Sequence, residues 1–470
     1  MEQRLNRQAY KMKTPVTAIF DIGKTNKKFF LFDAQLKEIS HQYKSFDEIP
    51  DEDGFLSEDL DSLVKWMRQC VHDLIIEGKY QLEKLNFSTY GASMVHLDAN
   101  GNLVVPFYNY LKPFPEGLLN DFLKRQGITK FSAATASPIL GMLNSGFQLL
   151  YLKHEKPEAY KKIKYSLHFP QYLSYLFTGK LVSEFTSIGC HTGLWDFNNQ
   201  QYHNWLSEEG SEKLLPKIVN SDTVYNVLLE GENVKIGVGV HDSSSAFIPY
   251  INTIKEPFAL ISTGTWSICM NYYNQASLTS RELENDCLNF LSKSGTSVKA
   301  SRLFMGNEFD FQIQQMADHY NIEPDFYKKI SYDSSLTWPN LDDGLLNYHI
   351  KSLKPERFGF ENKLETDYSI FEDYQSAYHA LINDLTKLQI ASLSLALGSS
   401  QVNSIYIDGG FSANEVFIQQ MSNKLSDKKI YTSSFALGTA LGAAMLVNGG
   451  ELPTDFLENN YNIKHHPSLN

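Results

Sequence analysis

At 470 residues the chain is too long for one ordinary core, and two domains are the natural expectation. Its 42% apolar and 20% charged residues are those of a soluble globular protein, with 13% aromatics as core material. A formal charge of −12 argues against non-specific binding to nucleic acid or to an anionic membrane surface, so neither is expected as a partner.

The first residues, Met1 to Gln8, lack the apolar centre of a signal peptide. No stretch approaches the roughly 20 apolar residues that a bilayer span needs. Cys70, Cys190, Cys269 and Cys287 stand far apart without a CxxC pair and read as buried free thiols in a reducing compartment. A cytoplasmic location is expected.

In chain order, Thr17 to Ile22 is an apolar run that enters the small turn Gly23-Lys24-Thr25 and leaves through Phe29 to Phe32, the pattern of a β-hairpin. Asp61 to Ile76 carries apolar residues at helical spacing. Lys84 to Gly91 reads as a strand ending in small residues, followed by a second hairpin turned by Asp98-Ala99-Asn100-Gly101. Ser145 to Trp205 is mostly helical, and Val234 to Val240 is a β-branched strand running into His241-Asp242. The pattern then restarts: Phe258 to Met270 repeats the opening hairpin around Ser262-Thr263-Gly264-Thr265. Helices are expected over Tyr374–Leu397 and Ala413–Leu425, with the strand Ser404 to Gly410 between them and a loop-rich excursion over Leu336–Glu361. Matching openings suggest an internal structural duplication, with domains over 1–246 and 247–470.

The two small turns carry the first chemical signal. Glycine lets backbone N–H groups approach an anion, and hydroxyls add donors without negative charge. Two such turns facing across a cleft would hold a polyphosphate from both sides, which points to phosphoryl transfer. Asp242 follows a buried strand at the domain junction, where pockets concentrate. Its plainer use is as the N-cap of the helix opened by Ser243-Ser244-Ser245; its chemical use is as base toward a hydroxyl that attacks a γ-phosphoryl group. Asp21 either caps its own turn or binds Mg²⁺, which on nucleotide phosphates takes only one or two protein carboxylates. Lys24, Lys27 and Lys28 alternate, so at most some of them reach a phosphate; otherwise they solvate the hairpin. Asp408-Gly409-Gly410 resembles a glycine-rich loop before a helix, but neither GxGxxG nor GxxxxGK[ST] is present. His465-His466 reads as an exposed tail.

Taken together these segments resemble the FGGY carbohydrate kinases, across nearly the whole chain. The first phosphate motif is similar to Asp21-x-Gly23-x-Thr25 with Lys28, and the adenosine motif to Asp408-Gly409-Gly410 with Asn414. Leu150 to Pro157 and Tyr175 to Lys180 resemble the family's central region, and Leu437 to Ala444 its late Ala-Leu-Gly-Ala-Ala segment. Within the family the likeness is to rhamnulokinases, through His241-Asp242-Ser243-Ser244-Ser245-Ala246, Ser262-Thr263-Gly264-Thr265-Trp266-Ser267 and Thr89-Tyr90-Gly91. Lys24 stands where Thr or Ala is usual, Asp408 where Gly is usual, and Ser93 where Asp is expected; the usual Asp-Arg is replaced around Tyr108-Asn109-Tyr110.

The resemblance implies two ribonuclease-H-like α/β domains of the actin/hexokinase/Hsp70 superfamily, with the active site in the cleft between them. ATP would lie mainly on the C-terminal domain and a small-molecule sugar mainly on the N-terminal one. It implies Asp242 as base and Asp21 as the Mg²⁺ residue. Gly23, Thr25, Lys28, Gly264, Thr265, Gly409, Gly410 and Asn414 would hold ATP. Thr89, Gly91, Ser93, Asn109, His241 and Asp242 would hold the sugar, L-rhamnulose or a close relative. Another sugar or polyol kinase of the family (L-fuculose, xylulose, glycerol), a non-catalytic sensor, and an Hsp70- or actin-like ATPase are the alternatives. The sequence makes no statement about oligomeric state.

Overall fold

The computed structural model describes residues 13–336, 344–433, 438–449, 452 and 455–469. The segment Met1 to Gln8, Leu437 and residues 337–343 of the loop-rich excursion lie outside the described residues. No helix among the described residues is long and apolar enough to cross a membrane.

The N-terminal half opens with β1 (Thr14–Ile22), β2 (Lys27–Phe32) and β3 (Glu38–Lys44), an antiparallel meander. Helix α1 (Leu60–Ile76) starts where Asp59 accepts the Ser62 N–H at 3.0 Å, and the parallel strand β4 (Tyr80–Thr89) follows. The half closes with β5 (Val224–Leu229), β6 (Glu232–Gly237), β7 (Val240–His241) and helix α2 (Asp242–Thr253). The sheet order is β5-β6-β4-β1-β2-β3, with β7 also paired to β4.

The C-terminal half repeats the plan. Strands β8 (Phe258–Thr263), β9 (Ser267–Asn271), β10 (Cys287–Leu291) and β11 (Ser297–Leu303) form antiparallel neighbours. After α3 (Met305–Tyr320) and α4 (Tyr374–Leu397), β12 (Ser404–Gly409) adds in parallel to β8. Then come α5 (Glu415–Lys424), β13 (Lys429–Thr432), α6 (Gly438–Val447) and β14 (Lys464–His466). The order is β10-β11-β9-β8-β12-β13-β14. In both halves the first strand has an antiparallel hairpin partner on one side and a parallel partner on the other, the duplication expected from the matching openings.

Alternation along β1 builds two cores. Val16, Ala18, Phe20 and Ile22 pack with Leu63, Met67 and Val71 of α1. Ile19 turns to the opposite face, into a cluster with Phe247 of α2, Leu260 of β8, Tyr406 of β12 and Leu441 of α6. This second cluster draws on both halves, so the two sheets share a layer containing α2 and α6. Polar ties fix it: Asn86 Nδ2 donates to Ala443 O at 2.8 Å, and Asn448 Nδ2 donates to Thr17 Oγ1 at 3.1 Å.

Three expectations are corrected. The turn at Asp98–Gly101 forms, but Leu97 meets Leu103 through a single bridge; Met94–Leu97 instead pairs with Tyr165–His168, a partner that local spacing does not reveal. The strand expected over 234–240 splits into β6 and β7, because the Asn86 side chain accepts the Gly239 N–H at 3.1 Å in place of a ladder partner. His465 and His466 are an edge strand on β13, with His466 Nε2 2.8 Å from Thr432 Oγ1, not a free tail.

The backbones of α2 and α6 nearly touch. A Cβ at Gly442 would lie 1.9 Å from the Ser245 carbonyl oxygen, and Ser245 Oγ donates to Thr439 O at 2.7 Å. Gly442→Ala should therefore lower unfolding stability by about 1–3 kcal/mol despite alanine's better helix propensity. Urea unfolding that shows an unchanged or raised midpoint would place slack between the helices.

Candidate active site

Register brings the expected carboxylates together. Along parallel neighbours, Asp21 of β1 pairs with Ser88 of β4, and Ile22 with Thr89. On the other side of β4, Val240 of β7 pairs with Ser88 and His241 with Thr89. Asp21 and Asp242 thus stand at the same end of one three-strand ladder, although 221 positions separate them in sequence. Asp21 feels Asp242. Burial pushes Asp21 up to about 6, Lys28 draws it back, and Asp242 pushes it up again. Lys28 Nζ lies 3.8 Å from Asp21 Oδ2.

Asp242 is the first residue of α2, with His241 as the cap. Its Oδ1 accepts the Ser243 N–H at 2.5 Å and the Ser243 hydroxyl at 3.1 Å, and lies 3.2 Å from His241 Nε2. Its Oδ2 accepts nothing from the described residues, and the side chain is 34% exposed. A carboxylate held by one oxygen with the other free is placed to take a proton. Burial works against charge on His241, yet the Cys190 sulfur and Asp242 outweigh it and hold the imidazole above its ordinary range. Cys190 is correspondingly held below its ordinary value, against burial, by His191 and His241.

The two turns differ from the expected clamp in their donors. The Gly23 N–H is spent on Asn26 O at 3.0 Å, and that of Gly264 on Trp266 O at 2.8 Å. The N–H groups of Lys24, Thr25 and Thr265 donate to none of the described residues. Lys27 does not solvate the hairpin: its ammonium is buried 2.6 Å from Glu58 and donates to Lys24 O at 2.9 Å, tying the turn down. Lys24 pairs with Glu48.

Beyond the second turn a cleft of about 610 Å³ opens, lined among others by Gly264, Thr265, Gly410 and Asn414. Asn414 caps α5 through the Phe417 N–H at 3.1 Å and donates to Tyr378 at 2.9 Å. Gly409 is not among the lining residues; a Cβ there would meet Thr263 O at 1.7 Å, so it serves the contact between β12 and β8. Sequence reasoning missed the cleft's aromatic wall, where Tyr327 and Tyr378 stack at 5.9 Å and Phe309 meets Phe411 at 5.1 Å. It also missed Gly306, which lines the cleft at the start of α3. These residues come from remote elements and form no local motif.

On the N-terminal side the expected sugar residues divide. Gly91 lies under the His241 ring, 3.0 Å from the position a Cβ would take. Ser93 is 2% exposed and its hydroxyl has no partner among the described residues. Thr89 is fully buried and donates to Tyr90 O at 2.9 Å, while Asn109 is spent on Leu56 O at 2.9 Å and the Leu111 N–H at 3.0 Å. Both are turn-supporting residues in this structure.

Among the described residues no group of three or more His, Cys, Asp or Glu side chains is able to hold a metal ion. Asp21, a largely buried carboxylate at the strand end, suits an ion that brings phosphate and water ligands of its own, as Mg²⁺ does.

The sequence matches the FGGY family of carbohydrate kinases, N-terminal domain, over residues 16–246, and the carbohydrate kinase FGGY C-terminal domain over 255–454. It is 23% identical over 433 residues to a rhamnulokinase from Oceanobacillus iheyensis, covering 87% of this chain and 86% of that protein. Two solved structures share the fold. A carbohydrate kinase from Novosphingobium aromaticivorans superposes with a TM-score of 0.79 at 23% identity, covering 97% of each chain. A ligand-bound xylulose kinase from Lactobacillus acidophilus gives 0.78 at 16% identity, covering 97% of this chain and 94% of that one. The two-domain α/β architecture is therefore the actin/hexokinase-like fold of these kinases.

Asp408, behind the cleft loop, is pushed up to about 6 by burial, against the pull of Ser262 and Tyr250. Its folded value lies above the ordinary 3.8, so its stability contribution is full below about pH 4 and lost as pH rises through about 6. Asp408→Asn removes this titration. The unfolding free energy of the native chain minus that of the variant should fall by up to about 3 kcal/mol between pH ~4 and pH ~7. A difference that does not vary with pH would show that Asp408 ionises normally.

Proposed function

This chain belongs to the FGGY family of carbohydrate kinases and is an ATP-dependent sugar kinase, and from that premise we propose that its acceptor is a ketose, L-rhamnulose or a close relative. The observation that carries the mechanism is the ladder that sets Asp242, with one free carboxylate oxygen, beside Asp21 and Lys28. In the proposed reaction a primary or terminal hydroxyl of the sugar loses its proton to Asp242 as its oxygen bonds to the γ-phosphorus. The bond from that phosphorus to the bridging oxygen breaks, and ADP leaves.

Asp21 would hold Mg²⁺, which when bound offsets phosphate charge. Lys28, Thr25 and Thr265 donate toward the β/γ-phosphates from the two turns, and the aromatic cleft takes the adenosine. The N-terminal domain would thus present the sugar and the C-terminal domain the nucleotide, and closure would exclude water and limit idle ATP hydrolysis. A rhamnulokinase as relative and the His241–Ala246 string support the ketose. Ser93 in place of a carboxylate, with a xylulose kinase among the structural neighbours, favours as second reading a ketose kinase of wider range. A panel of ketoses and polyols in a coupled ADP-release assay tests the choice; kcat/KM highest for glycerol would overturn the ketose reading.

Two variants test the machinery. Asp242→Asn should lower kcat by roughly 10²–10⁴-fold with ATP affinity little changed. Near-normal turnover of the folded variant would remove Asp242 from the chemistry. Gly306 backs the second turn so closely that a Cβ there would lie 2.1 Å from Gly264 O. Gly306→Ala should displace that turn and weaken ATP binding by about tenfold or more while sparing sugar binding. Calorimetry giving an unchanged ATP affinity would detach the turn from the nucleotide.

A further inference from the structure

A second cavity, of about 320 Å³, shares no lining residue with the nucleotide cleft. One wall is Trp195, Phe197, Asn198 and Gln200, inside the N-terminal family match; the other comes from residues 275–277 and the β10–β11 hairpin, inside the C-terminal match. The halves meet beside it through Trp195, Ile188 and Leu291, which form one apolar cluster. Leu291 faces Ser297 across the hairpin, and Asn289 lies two residues before Leu291, so the three share a sheet face.

We propose that this cavity is a second, non-catalytic binding site for a neutral monosaccharide or alditol, held between the two lobes. Three features select that chemistry. No lining side chain carries a charge, so a sugar phosphate or sugar acid would be desolvated there without a counter-ion. The volume lies at the lower end of the roughly 300–1,000 Å³ of small-molecule sites, room for a single sugar but not for a nucleotide. The wall also offers neutral polar groups to the cavity, since the amides of Asn198, Gln200 and Gln275 and the hydroxyl of Ser277 belong to exposed residues that line it. Amides and hydroxyls, which together donate and accept, are the complement of sugar hydroxyls, which do both. Trp195 and Phe197 add aromatic surface for a sugar's apolar face.

The test is calorimetric titration of the full-length protein with L-rhamnose, D-xylose, glycerol and D-glucitol, and with D-gluconate as the charged counterpart of D-glucitol. The double variant Asn198→Ala/Gln200→Ala alters two exposed residues outside the catalytic machinery, and Ser297→Asp puts a charge into the cavity. At least one neutral ligand should bind the native chain and bind each variant about tenfold or more weakly, with kcat/KM for the acceptor unchanged in the double variant. D-gluconate should not bind at this site. The proposal is overturned if no neutral ligand binds, if binding survives both variants, or if D-gluconate binds as tightly as D-glucitol.

Discussion

The parallel pairing of β4 with β1 on one side and β7 on the other is the constraint from which the catalytic geometry follows. Parallel strands end together, so residues that close them gather at one edge however far apart they lie in the chain. Asp21 and Asp242 share that edge, and their repulsion would be costly if nothing intervened. Lys28, opposite Asp21 in the β1–β2 register, supplies the intervening charge, and the free Asp242 oxygen keeps access to solvent. Charge balance and register here are one design, since a one-residue slip of β2 would turn Lys28 to the other face.

The second constraint is the shared helical layer. Because α2 begins at Asp242, the helix that carries the proposed base also packs against α6 and contributes to a core drawn from both sheets. Anything that shifts one lobe must move through this contact or around it. The polar ties from Asn86, Asn448 and Lys84 bind α6 and its C-terminal end to the N-terminal sheet, while its apolar face packs into the core shared with β8 and β12.

Local pattern made much of this legible. Tyr374–Leu397 is helical over the expected span, and both hairpins form at their expected turns, because periodicity and small-residue turns are short-range signals. What the sequence hid is long-range partnership. Nothing near Met94 announces Tyr165–His168 as its strand partner, and nothing near Lys27 announces that Glu58 will take it into the interior. The glycines of the two turns were legible as turn formers but not as donors already spent, since which N–H closes a turn depends on its conformation. The aromatic wall of the cleft joins Phe309, Tyr327, Tyr378 and Phe411 across a hundred residues, beyond any motif.

The same accounting bears on acceptor selection. A group already paired contributes little to discrimination, whereas an unpaired buried polar group costs about 1–3 kcal/mol until a ligand satisfies it. Thr89 and Asn109 are paired within the protein. Ser93 Oγ, His168 Nδ1 and Gln148 Oε1 are buried without partners among the described residues. They also lie near one another: Gln148 donates to Ala92 O at 3.1 Å, Phe169 N–H to Ser93 O at 3.2 Å, and His168 Nε2 is 3.4 Å from Ser145 Oγ. Burial pushes His168 down to about 3, which keeps its imidazole neutral at physiological pH. These unpaired groups adjoin the segment Gly91–Ser93, over which lies the His241 imidazole, held above its ordinary range. In the proposed reaction Thr89 and Asn109 are already spent within the protein, so discrimination between acceptors would fall to groups that remain unpaired.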